Sequence, residues 1–313
     1  MKDAIEAVEE AFVELQKGTA EMPLRTSITF PRVDGWVGIM PAWLKRMGAF
    51  STKIVTVFYR NRERNLPTIM ASVILNDPET GEPLALMDGT YITAMRTGAV
   101  CGVATKYLAR KDARVAGIFG AGVQARTQLM ALCEVRTVEK AYVYDVIEEA
   151  SKTYALEMSE RLGIPIEPCG RPEEVLQESD VISCATTARK PFFDGALVNP
   201  GTHVNLIGSY KPDVREVDEV LVRRSRIVVD KTSEALEEAG DLIIPIRQGI
   251  IAVEDIYAEL GELATGTKQG RTSDTEITLF KSVGLGIQDC AAAWRAYNRA
   301  KEIGLFTEIS LSR

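Results

Sequence analysis

"RVAGIFGAGVQARTQ" (residues 114–128) decides how the middle of this chain folds. RVAGIF is short and apolar, as a buried strand is, and VQARTQLMALCEV after it runs on as a helix without a breaker. Between them, Gly120, Gly122 and Ala125 stand in the spacing G-x-G-x-x-A. A plain glycine-rich turn could carry that spacing as well, so the surroundings must decide. The next strand, KAYVYD, ends at Asp145, twenty residues beyond Ala125. In a dinucleotide-binding βαβ unit the first glycine permits the tight turn and the second lets a pyrophosphate approach the backbone. The helix N-terminus offers free N–H groups to the phosphates, and the acid meets the ribose hydroxyls. With strand, loop, helix and acid in order, the stretch reads as a phosphate cradle. Asp145 would repel a 2′-phosphate, and VIEEA after it brings no arginine to neutralise one. NAD(H) is therefore favoured over NADP(H).

Working outward, the rhythm after residue 110 alternates strand and helix, with DVISCAT, HVNLIG and RIVVD as further apolar strands. That cadence predicts a Rossmann-type, doubly wound parallel sheet with helices on both faces. IYAELGELATG reads as a later helix, and VGLGIQDCAAAWRAYNRAKEIG as a long one ending the chain. Toward the N-terminus the pattern differs. Ile5, Val8, Ala11, Phe12 and Leu15 mark one face of a first helix, and RTSITF, WVGIM, FSTKIVTVFY and TIMASVILND read as strands joined by short turns. LMDGTYITAMRTGAVCGVATKYLAR reads as a helix dense in small residues that can lie close to a neighbouring backbone or ligand. The expected organisation is a discontinuous α+β domain (1–103 with 285–313) around a Rossmann domain (104–284).

Bulk properties narrow the function. A net charge of −7 argues against nucleic-acid or anionic-membrane partners. No apolar run is long enough to cross a bilayer, and the acidic, amphipathic start does not resemble a signal peptide, so a cytoplasmic protein is expected. Five scattered cysteines read as buried thiols. The single histidine, His203, lies in an apolar strand pattern and reads as structural, which leaves no basis for a zinc site or a histidine-based hydrolase, and no metal is expected.

With a nicotinamide cofactor supplying hydride, the protein must bind the partner and manage a proton. Lys53, inside the apolar pattern FSTKIVTVFY, is a candidate: burial or a nearby cation would bring its pKa toward neutrality. On pattern alone a strand-edge lysine reaching solvent fits equally well. Arg25 and Arg96 are similar cations amid apolar or small residues, suited to a carboxylate or phosphate but also compatible with the surface.

The ordered set GIMPAW, TKIVTVF, LMDGTYITAMRTGAVCGVATKYLAR, GIFGAGVQA, GTHVNLIGSYKPDVREVD, ELGEL and FKSVGLGIQD resembles the ornithine cyclodeaminase/mu-crystallin family over nearly the whole chain. That family includes cyclodeaminases, an archaeal-type alanine dehydrogenase and ketimine reductases. The resemblance implies hydride transfer between a nicotinamide and the α-carbon of an amino or imino acid. It implies that Lys53 is the active-site lysine and that Arg25 binds the substrate carboxylate. Arg96 and Thr97 would lie near the substrate and the cofactor phosphates, and Gly120, Gly122, Gln124 and Ala125 in the phosphate loop. Thr186, Thr187 and Gly208 would border the cofactor, with Ser282 and Gly284 beside the nicotinamide. A homodimer formed through the second domain is also implied.

Two departures matter. Cyclodeaminases and the alanine dehydrogenase carry an aspartate two residues past the glycine of the GTHVNLIGSYKPD stretch, where this chain has Tyr210 at the substrate-side position. They also carry an arginine just before the MP pair, where Gly38 and Ile39 stand here. Both point to the mu-crystallin side. The expectation is an NAD(H)-dependent imine or ketimine reductase giving an L-amino acid. An alanine-type dehydrogenase is the alternative, a cyclodeaminase less so, and a cofactor-dependent small-ligand binding protein is the reading from outside enzymology. Asp213 and Glu216, spaced D-x-x-E, read as a capping box opening a helix over VREVDEVLVRR.

Overall fold

The computed structural model describes residues 1–309; residues 310–313, at the end of the expected second domain, lie outside them. Helix α1 (Lys2–Gln16) buries Ile5, Val8, Ala11 and Phe12, while Leu15 stays half-buried. The strands that follow are β1 (Ala20–Glu21), β2 (Thr26–Phe30), β3 (Gly35–Leu44), β4 (Ala49–Phe58), β5 (Ile69–Asn76) and β6 (Pro83–Asp88). They form an antiparallel sheet in the order β1-β3-β4-β5-β6, and β2 shares the free side of β3 with β1. The buried carboxylate of Glu14 accepts the backbone N–H groups of Arg46 (2.9 Å) and Met47 (2.7 Å) and so pins the turn between β3 and β4.

Helix α2 (Gly89–Leu108) comes next. The eight-stranded sheet and its helices then run β7 (Val115–Phe119), α3 (Val123–Val135), β8 (Lys140–Tyr144), α4 (Glu148–Leu162), β9 (Ile166–Pro168), α5 (Pro172–Glu178), β10 (Val181–Cys184), β11 (His203–Leu206), α6 (Glu219–Arg224), β12 (Ser225–Val229), α7 (Thr232–Glu238), α8 (Gly240–Arg247), β13 (Ile256–Glu259), α9 (Leu260–Ala264) and β14 (Ile277–Lys281). Helix α10 (Gly286–Ile303) ends the described chain. All pairings in this sheet are parallel, in the order β13-β12-β14-β11-β10-β7-β8-β9. From β7 the chain steps outward to β8 and β9, then returns to β10 on the other side of β7. The strand order therefore reverses between β7 and β10, the place where open α/β sheets bind ligands beyond their carboxyl ends.

The chain forms two compact units: Met1–Ile5 with Thr97–Leu285, and Glu6–Arg96 with residue 286 onward. One division falls inside α2, between Arg96 and Thr97. Beyond it, Gly98 and Gly102 bring α2 against α3: a Cβ on Gly98 would strike the Thr127 carbonyl, and one on Gly102 would lie 3.3 Å from Ala131. The small residues read from the sequence thus serve close packing onto the helix that follows the glycine loop.

Two sequence expectations are corrected. No helix opens at Asp213; α6 begins only at Glu219, capped by Asp218, whose carboxylate accepts the Leu221 N–H at 2.9 Å. Glu216 is instead wholly buried and engaged by distant backbone, as described below, so tertiary partners override the local capping pattern. Within IYAELGELATG, residues 256–259 join the sheet edge as β13 and only Leu260–Ala264 are helical, starting where the Glu262 carboxylate accepts the Glu259 N–H at 2.9 Å. Among the described residues no helix is long and apolar enough to cross a membrane.

Candidate active site

In the unit built on the antiparallel sheet, β4 alternates strictly, so Ser51, Lys53, Val55 and Val57 face one side. Lys53 lies in register with Met40 of β3 and Val73 of β5, both buried, which settles the question its sequence pattern left open. The face it shares is covered by the first turns of α10, where every residue from Gly286 to Ala293 is buried. Gly286 makes that approach possible, since a Cβ there would sit 3.2 Å from the Pro41 carbonyl oxygen.

The Lys53 ammonium is 1% exposed and donates to Asp289 Oδ2 at 2.6 Å. Asp289 Oδ1 accepts from Arg96 Nε at 3.0 Å, and Arg96 Nη1 donates to Gln288 Oε1 at 2.8 Å. Burial brings Lys53 down from 10.5 to about 7; the guanidinium groups of Arg96 and Arg25 add to the fall, while Asp289 opposes it. Arg25, half-buried just before β2, adds its charge to a cluster in which Lys53 and Arg96 share the Asp289 carboxylate. Such a site is short of negative charge and holds a lysine able to exchange a proton near neutral pH.

The other unit carries the glycine loop. Gly120 follows β7 with φ +91, and a Cβ there would sit 2.6 Å from the carbonyl oxygen of Ala185, just after β10. Gly122 is the N-cap of α3 with no side-chain cap, and it opens onto space, with no heavy atom within 4 Å of where its Cβ would be. Ala125 is buried against Tyr154, whose hydroxyl donates to its carbonyl at 3.0 Å. The Gln124 side-chain oxygen is buried with no partner among the described residues. Asp145 closes β8 and accepts the N–H groups of Ala121 and Ile147, each at 2.9 Å, tying the acid to the loop. A positive-φ turn, an open second glycine and an uncapped helix start fit a dinucleotide pyrophosphate.

Two carboxylates that the sequence reading did not assign to the site shape the other loops at the strand ends. Glu216 accepts the Thr186 N–H (2.9 Å) and hydroxyl (2.7 Å) after β10, and the Gly208 N–H (2.8 Å) after β11. Burial, together with the nearby Asp241 carboxylate, raises Glu216 to about 7. Asp230 accepts from the Ser282 hydroxyl and the Val283 and Gly284 N–H groups at 2.8, 2.8 and 2.9 Å, fixing the turn after β14 where Gly284 has φ +82. Thr97 is buried in α2, its carbonyl bonded to Gln128 of α3 at 3.0 Å; Thr187 is exposed and Tyr210 half-buried, in the loops after β10 and β11. The structure thus groups Lys53, Arg25 and Arg96 in one unit and the other candidate positions in the second. His203 is buried between Thr278 and Asn205, and burial pushes it down to about 3, so it is a neutral core histidine. Asp289 and Gln288 also escaped the sequence reading. Their signal was present as a polar pair inside the small, apolar run LGIQDCAAAW, the same cue that singled out Lys53.

A parallel sheet with this strand order, a fitted phosphate loop and a buried lysine–carboxylate cluster define a dinucleotide-binding α/β protein with a separate cation-rich unit. The chain belongs to the ornithine cyclodeaminase/mu-crystallin family, which it matches over residues 1–304. It is 40% identical over 304 residues to a Delta(1)-pyrroline-2-carboxylate reductase of Bacillus cereus, covering 96% of this chain and 93% of that protein. Among solved structures it resembles Thermococcus litoralis Delta(1)-pyrroline-2-carboxylate reductase in complex with NADH and L-proline, with a TM-score of 0.97 and 50% identity over 99% of this chain and 96% of that one. It also resembles an archaeal alanine dehydrogenase dimer with bound NAD, with a TM-score of 0.93 and 41% identity over 100% of this chain and 95% of that one.

Proposed function

We propose that this protein is an NAD(H)-dependent reductase of α-imino or cyclic ketimine acids, yielding L-amino acids. The observation that carries this reading is the buried cluster of Lys53, Arg96 and Asp289 with Arg25 beside it. Two cations sharing one buried carboxylate favour an anionic ligand, and a carboxylate is what every imino acid carries. Arg25 and Arg96 hold that carboxylate and so orient the C=N group. Lys53 gives its proton to the imine nitrogen, which makes the adjoining carbon a better hydride acceptor. Bound NADH supplies the hydride. Tyr210 is assigned to the substrate side chain.

In this reading the unit of residues 6–96 with α10 is the substrate-binding and dimerisation domain, and the other holds the cofactor. Gly120, Gly122, Gln124 and Ala125 take the pyrophosphate, and Asp145 the ribose hydroxyls. Thr97, Thr186, Thr187 and Gly208 border the cofactor, with Ser282 and Gly284 on the nicotinamide side. The place of Arg96 beside Lys53 supports its substrate role over its cofactor role. The bound NADH and L-proline of the Thermococcus litoralis enzyme support the reading, because L-proline is what reduction of pyrroline-2-carboxylate yields. An alanine-type dehydrogenase is the second reading, supported by 41% identity to the archaeal enzyme; it needs the same lysine and cofactor.

The partner protein we assign is a second copy of the chain. The sheet face opposite α10 carries Ile28, Ile54, Met70 and Leu86, all exposed, which is the apolar surface a homodimer would cover. We assign the cytoplasm as its compartment, in keeping with five cysteines that form no disulfide among the described residues. The test of the catalytic assignment is Lys53→Ala. It is expected to abolish imino-acid reduction while NADH binding, read by fluorescence titration, is retained; a variant keeping most of its activity would refute the role.

A further inference from the structure

Gln288 precedes Asp289 in the first turn of α10 and is wholly buried. Its Oε1 accepts from Arg96 Nη1 at 2.8 Å, which fixes the orientation of the amide, because only the oxygen can face a guanidinium. The nitrogen of the same planar group has no hydrogen-bond partner among the described residues. Buried donors without acceptors are rare in folded proteins and unfavourable where they occur. This one belongs to the residue next to the carboxylate that Lys53 and Arg96 share. Arg96 has its Nε committed to Asp289, so it no longer offers the Nε edge of its fork to a ligand. A carboxylate held by Arg25 and by what Arg96 still offers keeps acceptor sites for a further donor.

We propose that the Gln288 side-chain N–H donates to the substrate carboxylate, making Gln288 a positioning residue that selects acids bearing a carboxylate next to the C=N carbon. The inference rests on the reductase reading. It deepens that reading by assigning substrate selection to α10, from a residue that adds a donor without adding charge, so that the titration of Lys53 is left to its burial, to Asp289 and to the two arginines.

Two variants separate this role from a structural one. Gln288→Met removes both the donor and the acceptor. Gln288→Glu keeps an oxygen for Arg96 but has no N–H. With saturating NADH and pyrroline-2-carboxylate as the varied substrate, Gln288→Met is expected to raise KM by about 10- to 100-fold, the worth of a hydrogen bond to a charged group. The change in kcat is expected to be much smaller. Gln288→Glu is expected to raise KM at least as far, since its carboxylate faces the ligand's. If Gln288 served only to hold Arg96, the uncharged methionine variant would keep a wild-type KM, and that result would overturn the proposal. So would a methionine variant whose loss falls on kcat alone. Wild-type turnover tests the reductase reading separately. If the wild type accepts only pyruvate with ammonia, the same two variants are read on the KM for pyruvate, whose carboxylate needs the same donor.

Discussion

Replacing Asp289 by asparagine removes the one negative charge in the Lys53 cluster while preserving side-chain shape. The Lys53 ammonium lies 2.6 Å from this carboxylate, and Asp289 raises its pKa both by charge and by hydrogen bonding. Burial, Arg96 and Arg25 all act in the other direction. An opposite charge at such a distance shifts a titration by about one to three pH units, so in the variant Lys53 loses its proton that much earlier. If the protonated amine supplies the imine's proton, wild-type kcat should fall as pH rises through about 7. In Asp289→Asn the same fall should begin one to three units lower, so that kcat at pH 8 drops roughly 10- to 1000-fold and partly recovers on acidification. KM for the imino acid should not rise, because the cluster has become more positive. The assay is NADH oxidation at 340 nm from pH 5.5 to 9, with near-UV circular dichroism to confirm folding, since breaking a buried pair costs about 3–5 kcal/mol. A folded variant whose alkaline limb is unmoved would show that Asp289 does not hold the Lys53 proton that turnover uses.

Three further outcomes are expected. Glu216 is raised from 4.5 to about 7, so the folded state binds more protons than the unfolded chain between those values, and stability falls as pH rises across that window. Glu216→Gln should therefore melt at a lower temperature overall, for loss of a multiple acceptor, with a shallower decline between pH 4.5 and 7 in thermal scans. Asp145→Ser should lower the KM for NADPH by about tenfold or more and raise it for NADH, by removing the charge that repels a 2′-phosphate, as read in steady-state kinetics with each cofactor. Ile54→Arg, on the apolar outer face of the antiparallel sheet, should convert a dimer to monomers in sedimentation velocity; an unchanged sedimentation coefficient would place the interface elsewhere.

What could be read from the sequence was whatever local pattern controls. The glycine loop, the acid closing the next strand and the alternation of β4 each depend on neighbours a few residues away, and each stands where the pattern put it. Lys53 could be flagged because an ammonium in an apolar alternation is costly without a partner. Its partner could not be named, because Asp289 lies 236 residues further along the chain. Glu216 shows the opposite failure. The D-x-x-E spacing is a genuine local signal, yet the carboxylate is used by Thr186, 30 residues away, and the helix waits for Asp218. Strand β13 was lost to the helix reading because only its pairing with β12 distinguishes four edge residues from a helical turn.

Reduction of a C=N bond next to a carboxylate can be measured on the wild-type protein. Purified protein is assayed for NADH oxidation with pyrroline-2-carboxylate and, in parallel, with pyruvate plus ammonia. Pyrroline-2-carboxylate is expected to give the higher kcat/KM, with L-proline as the product. Preference for pyruvate and ammonia would contradict it, and would mean that Tyr210 in place of the family's aspartate does not set the reaction apart from that of an alanine dehydrogenase.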